Sequence, residues 1–506
     1  MERFYACLAT RLTRGALCNL REVWTASERG EGDMQTTRPW LVVLTVTLAV
    51  ALASAGQALA QARQPNIVMI VGDDMGYADI GVHGSRDIPT PNIDALAREG
   101  TRFTDAYVTG PHCSPTRAGL LTGRYQQRFG HEVNMGPDAG PNGGLPPGET
   151  TMADRLKAAG YRTALLGKWH LGSARHLHPM SRGFDEFYGF LGGDHSYVES
   201  SPDGMNPLYE DRTRVEASGY LTDVLTDRAV AFIRREKSRP FFLYLAYNAV
   251  HTPMQASEEY LARFTGIADQ QRRTYAAMLS AMDDGIGRTL AALRAEGLEE
   301  NTLVFFFSDN GGPMMAGTTI NGATNTPLRG SKRQTWEGGI RVPFIIRWKG
   351  RLPEGRVDRR PIIQLDVLPT ALAAAGVEPK ADWKLDGVDL LPYLTDKLPG
   401  TPHEALYWRL FGHMAIRKGA WKLVKSMEGP LLDADTSQPD LSKAQLFNLA
   451  EDIGENNDLA AAQTEKVKEL AADWLRWSKE MAKPLWTPGA GGRGRGTPST
   501  GERRQH

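Results

Sequence analysis

Asn66-Ile67-Val68-Met69-Ile70-Val71-Gly72-Asp73-Asp74 is an unbroken apolar run that stops at a glycine and two carboxylates. A strand buried on both faces of a parallel sheet reads this way, and open α/β sheets place their sites at the carboxyl ends of such strands. The pattern recurs three times. Tyr161-Arg162-Thr163-Ala164-Leu165-Leu166-Gly167 leads into Lys168-Trp169-His170, Phe241 to Tyr247 leads towards His251, and Leu303-Val304-Phe305-Phe306-Phe307 leads into Ser308-Asp309-Asn310. Helical periodicity separates these runs, from Thr150 to Ala159 and from Gln271 to Glu296, with Met278, Met282, Ile286 and Leu290 on one face of the second. Strands alternating with helices predict an α/β fold: a large mixed, mostly parallel sheet sandwiched by helices, over residues 65–380.

The pattern changes after about residue 380. Short strand-like pieces at Ala405 to Arg409, His413 to Arg417 and Trp421 to Val424, with a turn at Lys418-Gly419, precede an amphipathic helix from Glu465 to Met481. Residues 381–486 are therefore expected to form a small C-terminal antiparallel sheet with a helix. The last segment, 487–506, has almost no apolar content and is expected to be a disordered, solvated tail. No internal repeat is visible.

At the other end, residues 40–56 (WLVVLTVTLAVALASAG) are the most apolar run, with Arg38 before it and Ala58-Leu59-Ala60 after it. The run is shorter than the roughly 20 residues a membrane span needs, and the small-x-small flank suits cleavage, so 34–62 reads as a signal peptide. On that reading Met34 is the start and 1–33 an N-terminal extension outside the mature chain. The protein is expected to be exported, periplasmic or secreted, with no stable membrane anchor.

The chain has 506 residues, with 59 Lys plus Arg against 59 Asp plus Glu. That balance argues against a nucleic-acid partner bound through bulk positive charge. Its three cysteines, Cys7, Cys18 and Cys113, cannot make a disulfide framework, and processing would leave Cys113 alone.

Three groups carry chemistry. Asp73, Asp74, Asp309 and Asn310 offer hard oxygen donors from two strand ends, suited to Ca²⁺ or Mg²⁺ rather than zinc, although an Asp-Asp after a strand is also a common cap or turn. Arg117, Lys168, His170, His251 and Lys332 are cations or potential cations at strand ends or in Gly-rich loops; around a divalent metal they imply a sulfate or phosphate ester. Cys113 opens the run Cys-Ser-Pro-Thr-Arg-Ala-Gly-Leu-Leu-Thr-Gly-Arg, a turn entering a helix, where a thiolate nucleophile is one reading.

That run, with Gly-Asp-Asp-Met-Gly at 72–76, Gly-Lys-Trp-His at 167–170, His-Thr-Pro at 251–253, Ser-Asp-Asn-Gly-Gly at 308–312 and Arg-Gly-Ser-Lys at 329–332, resembles the type I sulfatases of the alkaline phosphatase superfamily, arylsulfatases and N-acetylgalactosamine-6-sulfatase-like enzymes among them. The resemblance covers Asn66 to about Trp486. It implies an alkaline phosphatase-like fold and oxidation of Cys113 to formylglycine (3-oxoalanine) by a generating enzyme that reads Cys113, Pro115 and Arg117 on the unfolded chain. It further implies calcium held by Asp73, Asp74, Asp309, Asn310 and an oxygen of modified Cys113, with Mg²⁺ as an alternative. Arg117 would hold the diol in place, and Lys168, His170, His251 and Lys332 would complete the sulfate pocket. Asp309 would accept the nucleophile's proton, His251 assisted by Lys332 would protonate the leaving alcohol, and His170 would take the proton whose loss releases sulfate.

Substrate is less legible. Sulfated glycans or aryl sulfates are expected, with Asp194 and His195, in Gly-Gly-Asp-His-Ser-Tyr, either contacting sugar hydroxyls or bracing a loop. Trp336 and Trp408 are candidates for sugar stacking or for core packing. Three alternatives stand beside the sulfatase reading: a phosphonate or phosphodiester hydrolase of the same superfamily, a non-catalytic binder of sulfated glycans, and a thiol hydrolase using Cys113 with His170 or His251.

Overall fold

The computed structural model describes residues 64–136, 139–204, 206–316, 318–426 and 441–486. The expected extension and signal peptide, with Cys7 and Cys18, and the expected tail lie outside the described residues. The opening run forms strand β1 (Asn66–Gly72), buried at every residue. Further along come β2 (Thr101–Phe103), β3 (Ala106–Tyr107), β4 (Arg162–Lys168), β5 (Glu186–Phe190), β6 (Leu208–Glu210), β7 (Thr213–Val215), β8 (Phe241–Ala246), β9 (Thr302–Ser308), β10 (Phe344–Arg347), β11 (Arg356–Asp358) and β12 (Ile362–Ile363).

Ten of these form one sheet, in the order β11-β2-β10-β9-β1-β8-β4-β5-β6-β7. The run β9-β1-β8-β4-β5 is parallel throughout, and antiparallel pairs at both flanks make the sheet mixed. Gly72 pairs with Ser308, and Val71 and Gly167 both pair with Ala246, so the four apolar runs end side by side on one edge. That edge is where the polar residues following each run must gather.

Alternation along β1 feeds two cores. Val68 and Ile70 pack with Leu225, Phe232 and Met278 from the helices Leu221–Glu236 and Gln270–Ala295. Ile67, Met69 and Val71 pack with Leu120, Met152 and Leu368 from helices on the other face. Each such side chain contributes about 1.5–3 kcal/mol by leaving water. Thr151 and Asp154 close a capping box on the helix Met152–Ala158, and the Asp269 side chain accepts from Arg272 N–H at 2.7 Å to start Gln270–Ala295.

A second sheet, β13 (Ala405–Leu410), β14 (His413–Lys418), β15 (Trp421–Lys425) and β16 (Gln445–Asn448), is antiparallel in sequence order. The helix Thr464–Lys479 lies against it, and Trp408, Ile416, Leu423 and Trp474 share a core. Strand β16 was not among the expected strands, because four residues with two buried carry little pattern. Trp336 and Trp408 are both buried, so packing is their role.

Candidate active site

Strand ends are tied together before any side chain is considered. Asp73 N–H donates to Ala249 O at 2.9 Å, Val250 N–H to Asp73 O at 2.8 Å, and Asp309 N–H to Gly72 O at 3.0 Å. Asp74 is held at φ +61°, a conformation that non-glycine residues keep only when the surroundings impose it. Its N–H donates to Asp309 Oδ1 at 3.3 Å, and Asn310 Nδ2 donates to its Oδ1 at 2.7 Å.

Cations face these carboxylates at contact distance. Lys168, the last residue of β4, donates from Nζ to Asp73 Oδ2 at 2.5 Å. Lys332 lies 2.7 Å from Asp74, and His251 Nε2 is 3.5 Å from Asp74 Oδ2. Arg117 donates through Nε and Nη2 to Asp309 Oδ2, at 3.0 and 2.8 Å, and through Nη1 to Lys168 O and Tyr244 Oη. Burial alone would raise the Asp74 carboxyl, but Lys332 and His251 hold it well below the carboxylate range. Asp309 moves the other way, raised by burial and by Asp73. Burial lowers the imidazole of His251 to about 4, so it is neutral near pH 7 before any anion binds, and burial with the charges of Lys168 and Arg117 lowers that of His170 well below its ordinary value.

Cys113 is the first residue of the helix Cys113–Thr122 and is fully buried, with Sγ 3.5 Å from Asp73 Oδ1. Burial pushes its thiol up to about 12, despite Lys168 and Lys332 nearby. Without a metal, burial thus favours the protonated thiol over the thiolate that a thiol hydrolase would need.

One ligand atom each from Asp73, Asp74, Cys113 and His251 lies within 4.8 Å of the others. Asn310 Oδ1 is buried beside them without a hydrogen-bond partner. Carboxylate and amide oxygens with an orphaned acceptor fit a hard divalent cation. Nine of the ten core residues expected from the sequence thus meet in direct contact, and the tenth, His170, lies within the field of Lys168, Arg117, His251 and Lys332. Asp194 and His195 stand apart from the carboxylates: they line an adjoining open cavity of about 580 Å³ that also borders Thr252 and Pro253.

Several contributors were not anticipated. Thr319 Oγ1 donates to Asp74 Oδ2, Asn321 Nδ2 bridges Asp74 O and Val250 O, and Tyr244 Oη accepts from Arg117. Thr319 and Asn321 sit in a Gly/Thr/Asn-rich loop without periodicity. Tyr244 lies inside an apolar strand where nothing singles it out.

A family model described as Sulfatase matches residues 65–377, and one described as N-sulphoglucosamine sulphohydrolase, C-terminal, matches 330–474. The chain is 35% identical over 463 residues to N-acetylgalactosamine-6-sulfatase of Sus scrofa, covering 84% of this chain and 87% of that protein. It is also 35% identical over 463 residues to steryl-sulfatase of Mus musculus, covering 74% and 72%. Among solved structures, Ps i-CgsB in complex with k-i-k-neocarrahexaose superposes with a TM-score of 0.76 at 38% identity, covering 84% of this chain and 95% of that one.

Proposed function

The chain belongs to the sulfatase family and is a sulfuric ester hydrolase; from that premise we propose that it removes sulfate from a sulfated saccharide, with Cys113 as the precursor of its nucleophile. The observation that carries the reading is the meeting of Asp73, Asp74 and Cys113 with the orphaned Asn310 Oδ1, ringed by Lys168, Lys332, His170 and His251. A saccharide is favoured over an aryl or steryl group because two of the three relatives named above act on, or are bound to, sugars, N-acetylgalactosamine in one and neocarrahexaose in another, against a steryl group in the third.

Asp73, Asp74, Asp309 and Asn310 would hold Ca²⁺, with Mg²⁺ as the alternative. The metal would supply Lewis acidity, and formylglycine at Cys113 would supply, as its hydrate, one hydroxyl to attack sulfur and a second whose deprotonation restores the aldehyde and breaks the C–O bond to the first, releasing sulfate. Lys168 and Lys332 offset charge on the sulfuryl oxygens, Arg117 positions Asp309, and Asp309 accepts the attacking hydroxyl's proton. His251 Nδ1 donates to Thr252 O at 2.7 Å, which leaves Nε2 facing the pocket; Nε2 is bare in the neutral ring, so it gives a proton to the departing alcohol only after the bound sulfate has drawn His251 into its imidazolium form. His170 accepts the second hydroxyl's proton. Acid and base steps of this kind contribute about 10²- to 10⁴-fold each.

Cys113, Pro115 and Arg117 are all buried, which supports modification of the unfolded chain by a formylglycine-generating enzyme before or during export. Residues 65–380 would form the catalytic region and 381–486 its C-terminal subdomain. Among the described residues no helix is long and apolar enough to cross a membrane. The test is a sulfate-release panel of sulfated mono- and oligosaccharides, with aryl sulfate and aryl phosphodiester as comparators, using enzyme co-produced with the generating enzyme. Sulfate release from a sugar is expected; a dominant phosphodiesterase rate would replace the reading with the phosphodiester hydrolase.

A further inference from the structure

The open cavity beside the catalytic residues has a character opposite to theirs. Its walls come from two segments fixed to the site. Gly193 runs against His170, since a Cβ built there would lie 2.8 Å from His170 Cε1, and Thr252 directly follows His251. Gln255 Oε1 accepts from Ser196 Oγ at 3.0 Å and from Tyr197 N–H at 2.9 Å, while Tyr197 Oη donates to Asn248 O and His251 O. The cavity is therefore a built extension of the catalytic pocket.

Asp194, His195, Ser196, Glu199, Thr252 and Pro253 are among its lining residues, and no lysine or arginine of the described residues joins them. Its two carboxylates, Asp194 and Glu199, are exposed; the charge of Asp194 acts on the neighbouring His195, whose imidazole burial nonetheless lowers. Glu199 is oriented at the backbone, its N–H donating to Ser196 Oγ at 3.0 Å, and Asn206 Nδ2 donates to Asp194 O. Hydroxyl and carboxylate acceptors with one apolar side chain suit sugar hydroxyls and offer little to an aromatic or steroid ring. A second sulfate or a uronate seated there would face like charge without a counter-ion, a repulsive element of the kind that sets specificity.

We propose that this cavity is the saccharide subsite next to the sulfate pocket, and that Asp194 and Glu199 select a neutral sugar there and exclude one carrying a second anionic group. The proposal rests on the sulfatase reading and adds to it the electrostatic class of the neighbouring sugar. The exclusion acts by through-space charge, so neutral isosteres, which keep an acceptor oxygen for the sugar hydroxyls, should remove it.

Two oligosaccharides with the same sulfated hexose, the one identified by the release panel, provide the test: one adjoins a neutral hexose, the other a uronic acid. At low ionic strength wild-type kcat/KM is expected to favour the neutral neighbour by about tenfold or more, and added salt should shrink the ratio. In Asp194→Asn/Glu199→Gln the ratio should approach unity through a faster rate on the uronate substrate. Equal wild-type rates, or a ratio that the double variant leaves in place, would overturn the subsite while normal aryl sulfate turnover left the sulfatase standing. No turnover of any of the three substrates by wild-type enzyme would remove both.

Discussion

Gly193 has no side chain, and His170 occupies the space one would take. The Cβ of an alanine would meet only the imidazole, at 2.8 Å from Cε1 and 2.9 Å from Nε2, with no backbone atom among its close neighbours. Gly193→Ala is therefore expected to fold, with Tm within a few degrees of wild type, and to lose about 10- to 100-fold in kcat by displacing the ring. Aryl sulfate kinetics beside a melting curve check this; unchanged kcat would mean His170 needs no such placement. Metal removal acts at the same scale. Prolonged chelation should abolish turnover and Ca²⁺ or Mg²⁺ should restore it, because Asp73, Asp74 and Asn310 Oδ1 would otherwise keep their donor set unsatisfied. Residues such as Asp73, Lys168 and Asp309 were legible in the sequence because each directly follows or ends an apolar strand. Thr319 and Asn321 were not, since their loop has neither period nor punctuation and reaches Asp74 only through tertiary folding.

Strand β4 brings Lys168 to the site because of the residue before it. Gly167 sits at φ +115°, and a Cβ there would lie 1.9 Å from Ala246 O on β8. Gly189 on β5, paired with Gly167, is crowded in the same way against Gly167 O. Backbone meets backbone at this point, so relief by rotamer change is not possible. Gly167→Ala is expected to cost at least about 2–3 kcal/mol, read as a lowered denaturation midpoint or loss of soluble protein. A stable, active alanine variant would contradict the packing described. At this scale the parallel strands were readable, since burial on both faces leaves long apolar runs. The flanking strands β2, β6, β7, β10 and β11, with three or four residues each, are set by pairing partners and left no comparable trace.

Across the whole molecule, the C-terminal sheet holds the loop that carries Lys332. Lys422 on β15 lies 2.8 Å from Glu337 and 2.9 Å from Glu455, all three buried, and Glu337 N–H donates to Glu455 Oε2 at 2.7 Å. Arg329 Nη1 donates to Glu455 O at 3.1 Å, closing the clamp on the other side of Lys332. Lys422→Met would leave two buried carboxylates without their shared cation and is expected to cost about 3–5 kcal/mol. With one lysine between them, Glu337 is held down to about 2, by Lys422 and Arg341 against burial, while burial and Glu337 raise Glu455 to about 7. Glu337 thus contributes stability that grows as pH rises from about 2 to 4.5. Glu455 works in the opposite sense: the folded state keeps a proton that the unfolded chain releases, so stability falls as pH rises from about 4.5 to 7. Glu455→Gln is expected to flatten that fall and to be more stable than wild type at pH 8, by on the order of 1–3 kcal/mol in urea melts. A variant that loses stability equally at pH 5 and pH 8 would show that Glu455 is ionised in the native state.

The central claim is chemical, and the fate of one sulfur atom tests it. The Cys113 peptide of enzyme co-produced with a formylglycine-generating enzyme should be lighter by about 18 Da, a change outside the usual cysteine oxidation ladder. The modified fraction should track sulfate release across preparations. Full turnover by enzyme whose Cys113 peptide keeps its thiol mass, or by Cys113→Ala, would contradict the account.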